Sequence, residues 1–209
     1  MTAGDSFTSS DRSERAALAT PMRILGISGS LRAASTNTTL LAAALRLAPP
    51  EMAMSLTSSV GELPPFNPDV EVSRVSAVER WVGEMRAAEG IVVSTPEYAG
   101  GYPGALKNAF DWLVATDAFV QKPFMLLNAS ARSVRAQRAL VTVLETMSGV
   151  HVESASTTIP LLGKRLTVEE IVANRDFAER IRESLARFAA EVGRLGGRSA
   201  RGVEAESGR

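Results

Sequence analysis

Short apolar runs alternate with longer amphipathic stretches from Pro21 to Leu195. Met22 to Ser28 (MRILGIS) is a buried-strand candidate, and Asn37 to Ala48 predicts a helix stopped by Pro49 and Pro50. Met52 to Ser58 alternates Met52, Met54 and Leu56 with the period of a strand. A proline-rich loop, Leu63 to Pro68, follows. Val75, Val78, Trp81, Val82, Met85 and Ala88 then recur at three- and four-residue spacing, which lays one apolar stripe along a helix. Ile91 to Ser94 reads as a third strand, and Pro103 to Val114 as a helix with proline at its first position. Pro123 to Asn128 is a fourth strand, Arg135 to Met147 a helix ended by Gly149, and Val152 to Thr158 a fifth strand. Thr167 with Glu169 and Glu170 marks a helix start, and Phe177, Ile181, Leu185, Phe188 and Val192 mark a last amphipathic helix.

Five strands separated by helices predict an α/β class, a doubly wound parallel sheet with helices on both faces. Two strand orders compete, and the chain is short for the six-stranded one. The flavodoxin-like order 2-1-3-4-5 is therefore expected. In that order the sheet reverses direction between strands one and three, and ligands bind at the carboxyl ends of those two strands. One domain is expected over residues 21–195, with residues 1–20 and 196–209 as disordered tails of small and polar residues.

Composition narrows the chemistry. At 209 residues, 45% hydrophobic and 22% charged, the chain has the profile of one soluble domain. No apolar run approaches the roughly 18 residues needed to span a bilayer, and residues 1–20 lack the apolar stretch of a secretory signal. No membrane association is expected. Cysteine is absent, which excludes disulfides, thiol nucleophiles and thiolate metal sites and fits a reducing cytoplasm. His151 is the only histidine, so a multi-histidine metal site is excluded and no metal is expected. The 23 basic and 23 acidic residues cancel, and no nucleic-acid partner is expected.

Two loops fall at the carboxyl ends of strands one and three. The first, Gly29 to Asn37, runs into a helix, whose start offers free N–H groups and the positive end of the dipole. Ser30, Ser35, Thr36 and Asn37 add short donors, and Arg32 a charged fork suited to phosphate. The dinucleotide fingerprint G-x-G-x-x-G and the Walker A motif are both missing, and a Ser/Thr-rich loop that merely caps its helix is the competing reading. The second loop, Thr95 to Gly104, combines two prolines, three glycines and two tyrosines. Its backbone N–H groups suit the polar edge of a planar ring and a tyrosine suits its face, against the plainer reading of a rigid turn.

Gly29-Ser30-Leu31-Arg32 with Ser35 and Asn37 resembles the G-S-L-R-x-x-S-x-N phosphate loop of the NADPH-dependent FMN reductase family. Pro96-Glu97-Tyr98, followed by Pro103-Gly104-x-Leu106-Lys107-Asn108-Ala109-x-Asp111-Trp112, resembles that family's P-E-Y-x-x-x-x-P-G-x-L-K-N-A-x-D-W segment. The resemblance runs from Met22 to about Pro160. It implies a flavodoxin-like fold, FMN as cofactor, NADPH or NADH as reductant, and a homodimer or homotetramer. It places phosphate contacts on Ser30, Arg32, Ser35, Thr36 and Asn37, ring contacts mainly through the backbone of Pro96, Glu97, Tyr98, Ala99 and Gly100, and a third loop at Ser130. Ala99 stands where the family often has asparagine, and Ala131-Arg132-Ser133-Val134 where its third loop is commonly glycine-rich.

The implied activity is hydride passage from NAD(P)H through flavin N5 to an oxidised small molecule such as free flavin, a quinone, an azo compound or a metal oxyanion. No side-chain acid or base is needed for its first step. The alternatives are a flavodoxin-like electron carrier and a binding module that holds a phosphate-bearing ligand without NAD(P)H turnover. Outside the loops, Lys107 and Asp111 are spaced to pair, Trp81 reads as core and His151 as a half-exposed structural residue. Phe110 and Trp112, on the helix beside the second loop, are candidates for a symmetric interface.

Overall fold

The computed structural model describes residues 20–206, with side chains through residue 196; the expected tail residues 1–19 and 207–209 lie outside the described residues. Among the described residues six strands and six α-helices follow one another: β1 (Met22–Ser28), α1 (Thr36–Leu47), β2 (Met52–Leu56), α2 (Ser76–Ala87), β3 (Gly90–Ser94), α3 (Gly104–Asp111), β4 (Pro123–Asn128), α4 (Val134–Thr146), β5 (Val150–His151), β6 (Thr157–Thr158), α5 (Val168–Ala173) and α6 (Arg175–Glu206). The sheet order is β2-β1-β3-β4-β5, all parallel, with β6 also paired to β4. That is the flavodoxin-like order.

Period-two alternation divides the strand residues between two cores. Ile24, Val92, Met125 and Leu127 pack with α1, α5 and α6 on one face. Leu25, Ile27, Ile91, Val93, Phe124 and Leu126 pack with α2, α3 and α4 on the other. Trp81 is fully buried in this second core, and its indole N–H donates to Ala109 O at 2.7 Å.

Four expectations change. Of the expected fifth strand, Val152 to Thr158, only Thr157–Thr158 is strand (β6): a 3₁₀ turn occupies Glu153–Ala155 and β5 lies just ahead at Val150–His151, so the sheet has six strands rather than five. At the break Ser156 Oγ accepts the Leu126 N–H at 3.0 Å, replacing a ladder bond. Pro103 sits at the N-cap of α3 rather than inside it, with extended backbone at ψ 141°. The turn after α4 is made by Ser148 at φ 64°, not by Gly149. Gly149 is needed for space, since a Cβ there would lie 2.5 Å from Phe119 Cε1 and 2.9 Å from Leu144 O. Finally, Phe110 and Trp112 are buried within the chain, so neither is available to a symmetric interface. Lys107 and Asp111 form an ion pair on α3. The Thr167 side chain and Glu170 build a capping box at α5, and α6 runs on past Gly196.

His151 stacks on Phe124, with ring centroids 4.9 Å apart, and its Nε2 lies 3.1 Å from Ser156 Oγ. Burial pushes its imidazole below the ordinary 6.5, outweighing Glu145 and Glu153, which pull the other way. The unfolded chain then binds this proton more readily than the folded one. The stability contribution is complete above pH 6.5 and is lost as pH falls through the lower folded-state value. With one histidine in the chain, His151→Gln is expected to flatten the stability profile from about pH 6.5 down to roughly pH 5, above the ordinary carboxylate range. An unchanged slope in urea melts across that window would contradict this.

Candidate functional site

β1 and β3 end in register, Ser28 beside Ser94, and the Gly29 N–H donates to Ser94 O at 2.8 Å. A Cβ at Gly29 would lie 2.8 Å from Thr95 Cβ and 3.0 Å from Leu106 Cδ2, so only glycine lets the two strand ends approach this closely. The loops after β1 and β3 therefore leave the sheet side by side, at its switch point.

The first loop is braced from within. Ser28 Oγ accepts the Ser30 N–H at 3.2 Å, and Ser30 Oγ accepts the Arg32 N–H at 3.4 Å. Ser35 caps α1 by accepting the Thr38 N–H at 3.3 Å. The amides of Thr36 and Asn37 have no hydrogen-bond partner among the described residues. The buried Asn37 accepts the Ser94 hydroxyl on Oδ1 at 3.0 Å, which leaves its Nδ2 as a donor. These N–H groups and the exposed Arg32 meet at the positive end of the α1 dipole, the arrangement a phosphate requires.

The second loop folds into a tight turn. Tyr98 N–H donates to Gly101 O at 2.8 Å and Gly101 N–H to Tyr98 O at 3.0 Å, with Ala99 at φ 49° and Gly100 at φ 78°. Two left-handed residues in succession are what such a turn requires. Ala99 pays for this, since an asparagine tolerates the left-handed region better. The turn uses the Tyr98 and Gly101 amides, and those of Glu97, Ala99 and Gly100 have no hydrogen-bond partner among the described residues. Burial, and then the nearby Asp111 carboxylate, raise the Tyr102 phenol above its ordinary value, and it stays protonated near neutrality.

After β4 the bracing recurs. Asn128 Oδ1 accepts the Ser130 N–H at 3.1 Å, and Ser130 Oγ accepts the Arg132 N–H at 3.1 Å. The N-cap residue of α4, Ser133, makes no side-chain bond to its helix. Glu97 reaches across instead, and its Oε2 accepts the N–H groups of Arg135 at 3.0 Å and Ala136 at 3.1 Å.

These three loops enclose a cavity of about 410 Å³, within the range of small-molecule sites. Ser30, Arg32, Ser35, Thr36 and Asn37 form one end of it, Pro96, Glu97 and Tyr98 one wall, and Ser130 the other. Ala99 and Gly100 lie in the turn beyond its lining. Ala129 and Leu162, which the sequence did not point to, also line it, as do Arg132 and Ser133 of the third loop, which were not among the expected contacts. Arg132 and Ser133 carried a signal, because they follow a strand end in the same way as Arg32. Leu162 lies beyond β6 and carried none. A larger open cleft of about 890 Å³ beside α4 and His151 lacks the free helix-start amides. No group of three potential metal ligands occurs among the described residues.

The fold defines a flavodoxin-like protein, with a cavity between the loops that leave β1, β3 and β4 at the switch point of the sheet. The family model for NADPH-dependent FMN reductase matches residues 22–161, and the chain belongs to that family. An NAD(P)H-dependent FMN reductase of Pseudomonas aeruginosa is 39% identical over 129 residues, covering 60% of this chain and 69% of that protein. A quinone reductase of Escherichia coli is 31% identical over 113 residues, covering 52% of this chain and 60% of that one. Among solved structures, a flavoenzyme NAD(P)H:(acceptor) oxidoreductase from Paracoccus denitrificans superposes with a TM-score of 0.75 over 83% of this chain and 98% of its own, at 23% identity.

Proposed function

We propose that this chain is an FMN-dependent NAD(P)H oxidoreductase that reduces small oxidised acceptors of the quinone class. The observation that carries the reading is the phosphate cradle of Ser30, Arg32, Thr36 and Asn37 set in register beside a ring-edge loop, in one cavity, in a member of the FMN reductase family. FMN, when bound, supplies two-electron hydride chemistry. The residues supply the rest. The Thr36 and Asn37 amides, the Ser30 hydroxyl and Arg32 hold the terminal phosphate. The Glu97 amide lines the cavity and would meet the edge of the ring, with the free amides of Ala99 and Gly100 in the turn just beyond it adding partial positive charge. Half-exposed Tyr98 covers the cavity mouth. Pro96 and the left-handed turn fix this wall, so reductant and acceptor use the same open face in turn.

In steady state, NADPH oxidation is expected to require FMN and a quinone together. Turnover without FMN, or none with both, would contradict the reading, and the second result would favour an electron carrier or binding module. Tyr98 and Leu162, large apolar side chains that line the cavity and are exposed, support self-association as a homodimer or homotetramer. Light scattering at micromolar concentration tests this, and a monomer overturns it.

A further inference from the structure

We propose that Glu97 is a positioning residue whose carboxylate closes the start of α4 from the neighbouring loop and thereby fixes one wall of the cavity against the other. The loops after β1 and β4 are built alike. In each, the last strand residue braces the serine two positions on, Ser28 for Ser30 and Asn128 for Ser130, and that serine accepts the amide of the following arginine, Arg32 or Arg132. The two loops part at the helix start. At α1 the amides of Thr36 and Asn37 stay open to the cavity. At α4 the first-turn amides of Arg135 and Ala136 are both taken by Glu97 Oε2, from 38 and 39 residues away. Glu97 stands at α4 in the role that the first loop leaves to a ligand anion.

Three features make this contact a link between walls rather than a local cap. Ser133, at the N-cap position, leaves the helix uncapped by its own loop. Among the described residues, the two bonds to Glu97 are the only hydrogen bonds between the loop after β3 and the segment from Ala129 to Ala136. The contact is also returned: a Cβ at Gly100 would lie 3.8 Å from Arg135 Nη1 and 3.9 Å from its Cδ, so the Arg135 side chain runs along the turn that Glu97 precedes. Since Pro96, Glu97 and Tyr98 face Ser130, Arg132 and Ser133 across one cavity, the spacing of the walls depends on this carboxylate. The family resemblance places Glu97 at the ring, mainly through its backbone, and says nothing of its carboxylate. The geometry points to its backbone serving the ring and its side chain serving α4.

The consequence for FMN rests on the function proposed above; the link between the loops does not. Glu97→Ala and Glu97→Gln are compared with the parent, first without flavin by amide hydrogen exchange and then by FMN titration and NADPH kinetics. In Glu97→Ala the Arg135 and Ala136 amides are expected to exchange about tenfold faster, the size of a lost helix cap, and the Tyr98 and Gly101 amides of the opposite wall to follow them. The FMN Kd and the KM for NADPH are expected to rise about tenfold, with kcat at saturation within about threefold of the parent. Glu97→Gln keeps an acceptor oxygen and is expected to recover most of each loss. Faster exchange confined to Arg135 and Ala136, with the FMN Kd unchanged, would reduce Glu97 to a local cap and overturn the proposal. A large fall in kcat with the Kd unchanged would overturn it as well, by placing Glu97 on the reacting atoms. A parent that binds no FMN sinks the functional reading, while exchange at Tyr98 and Gly101 still decides the link.

Discussion

Ser30→Asp is expected to weaken FMN binding about a hundredfold and to leave riboflavin binding nearly unchanged. Ser30 is buried and lines the same end of the cavity as Arg32, Thr36 and Asn37, where the proposed phosphate would sit. A carboxylate there stands within about 4 Å of a phosphate dianion, and at an effective dielectric of ~20 one unit-charge pair at that distance repels by roughly 4 kcal/mol. Relaxation and solvent reduce this, but a residual ~2.7 kcal/mol is still about two powers of ten in affinity. Ser30→Ala removes one hydrogen bond of several and is expected to cost about 1 kcal/mol. The fold is expected to survive both changes: an aspartate can still accept the Arg32 amide that Ser30 Oγ accepts now, and Ser30→Ala frees that amide at an exposed residue, where water can take it. Riboflavin lacks the phosphate and serves as the control. Equal FMN affinity in Ser30→Asp and the parent would place the phosphate elsewhere.

Gly29→Ala is expected to destabilise the fold and weaken FMN together. The added methyl meets the Thr95 side chain on one side and Leu106 Cδ2 at 3.0 Å on the other, and both neighbours are buried. The strand ends must then move apart, which costs about 2 kcal/mol or more in a packed interior. That movement separates the phosphate cradle from the ring-edge loop, so affinity falls for FMN and riboflavin alike, unlike the Ser30→Asp pattern. Gly104→Ala is the control. A Cβ there meets nothing within 4 Å, and the residue opens α3, so its effect on a urea midpoint is neutral or mildly favourable. A Gly29→Ala protein as stable as the parent would show that the strand ends are not held this closely.

The sheet order and both cores were legible because the apolar periods of the strand and helix segments agree with the order of elements along the chain. Trp81 on its stripe and the Thr167 capping box followed from spacing alone. The break between β5 and β6 was not legible, since the β-branched Val152, Thr157 and Thr158 are strand formers and the side chain that replaces the ladder, Ser156, has no distinctive pattern. Phe110 and Trp112 suggest a symmetric interface from their place on a helix beside the second loop, and nothing in their spacing marks them as core. Only the position of α3 against α2 and the Phe66 loop settles that they face inward, with Trp112 Nε1 donating to Pro64 O at 2.9 Å. Among the candidate site residues, the phosphate end was legible because a helix start and its short polar side chains are contiguous in sequence. The use of the Glu97 carboxylate was not, because its partners lie nearly forty residues further on and Ser133 offers a local cap that the structure leaves unused.

The most direct test of the central claim is the visible spectrum of the FMN-loaded protein, free of oxygen, through sequential addition of NADPH and a quinone. The account predicts that the flavin band bleaches when NADPH is added and returns when the quinone follows, with no other protein present. A band that NADPH leaves unchanged would contradict it.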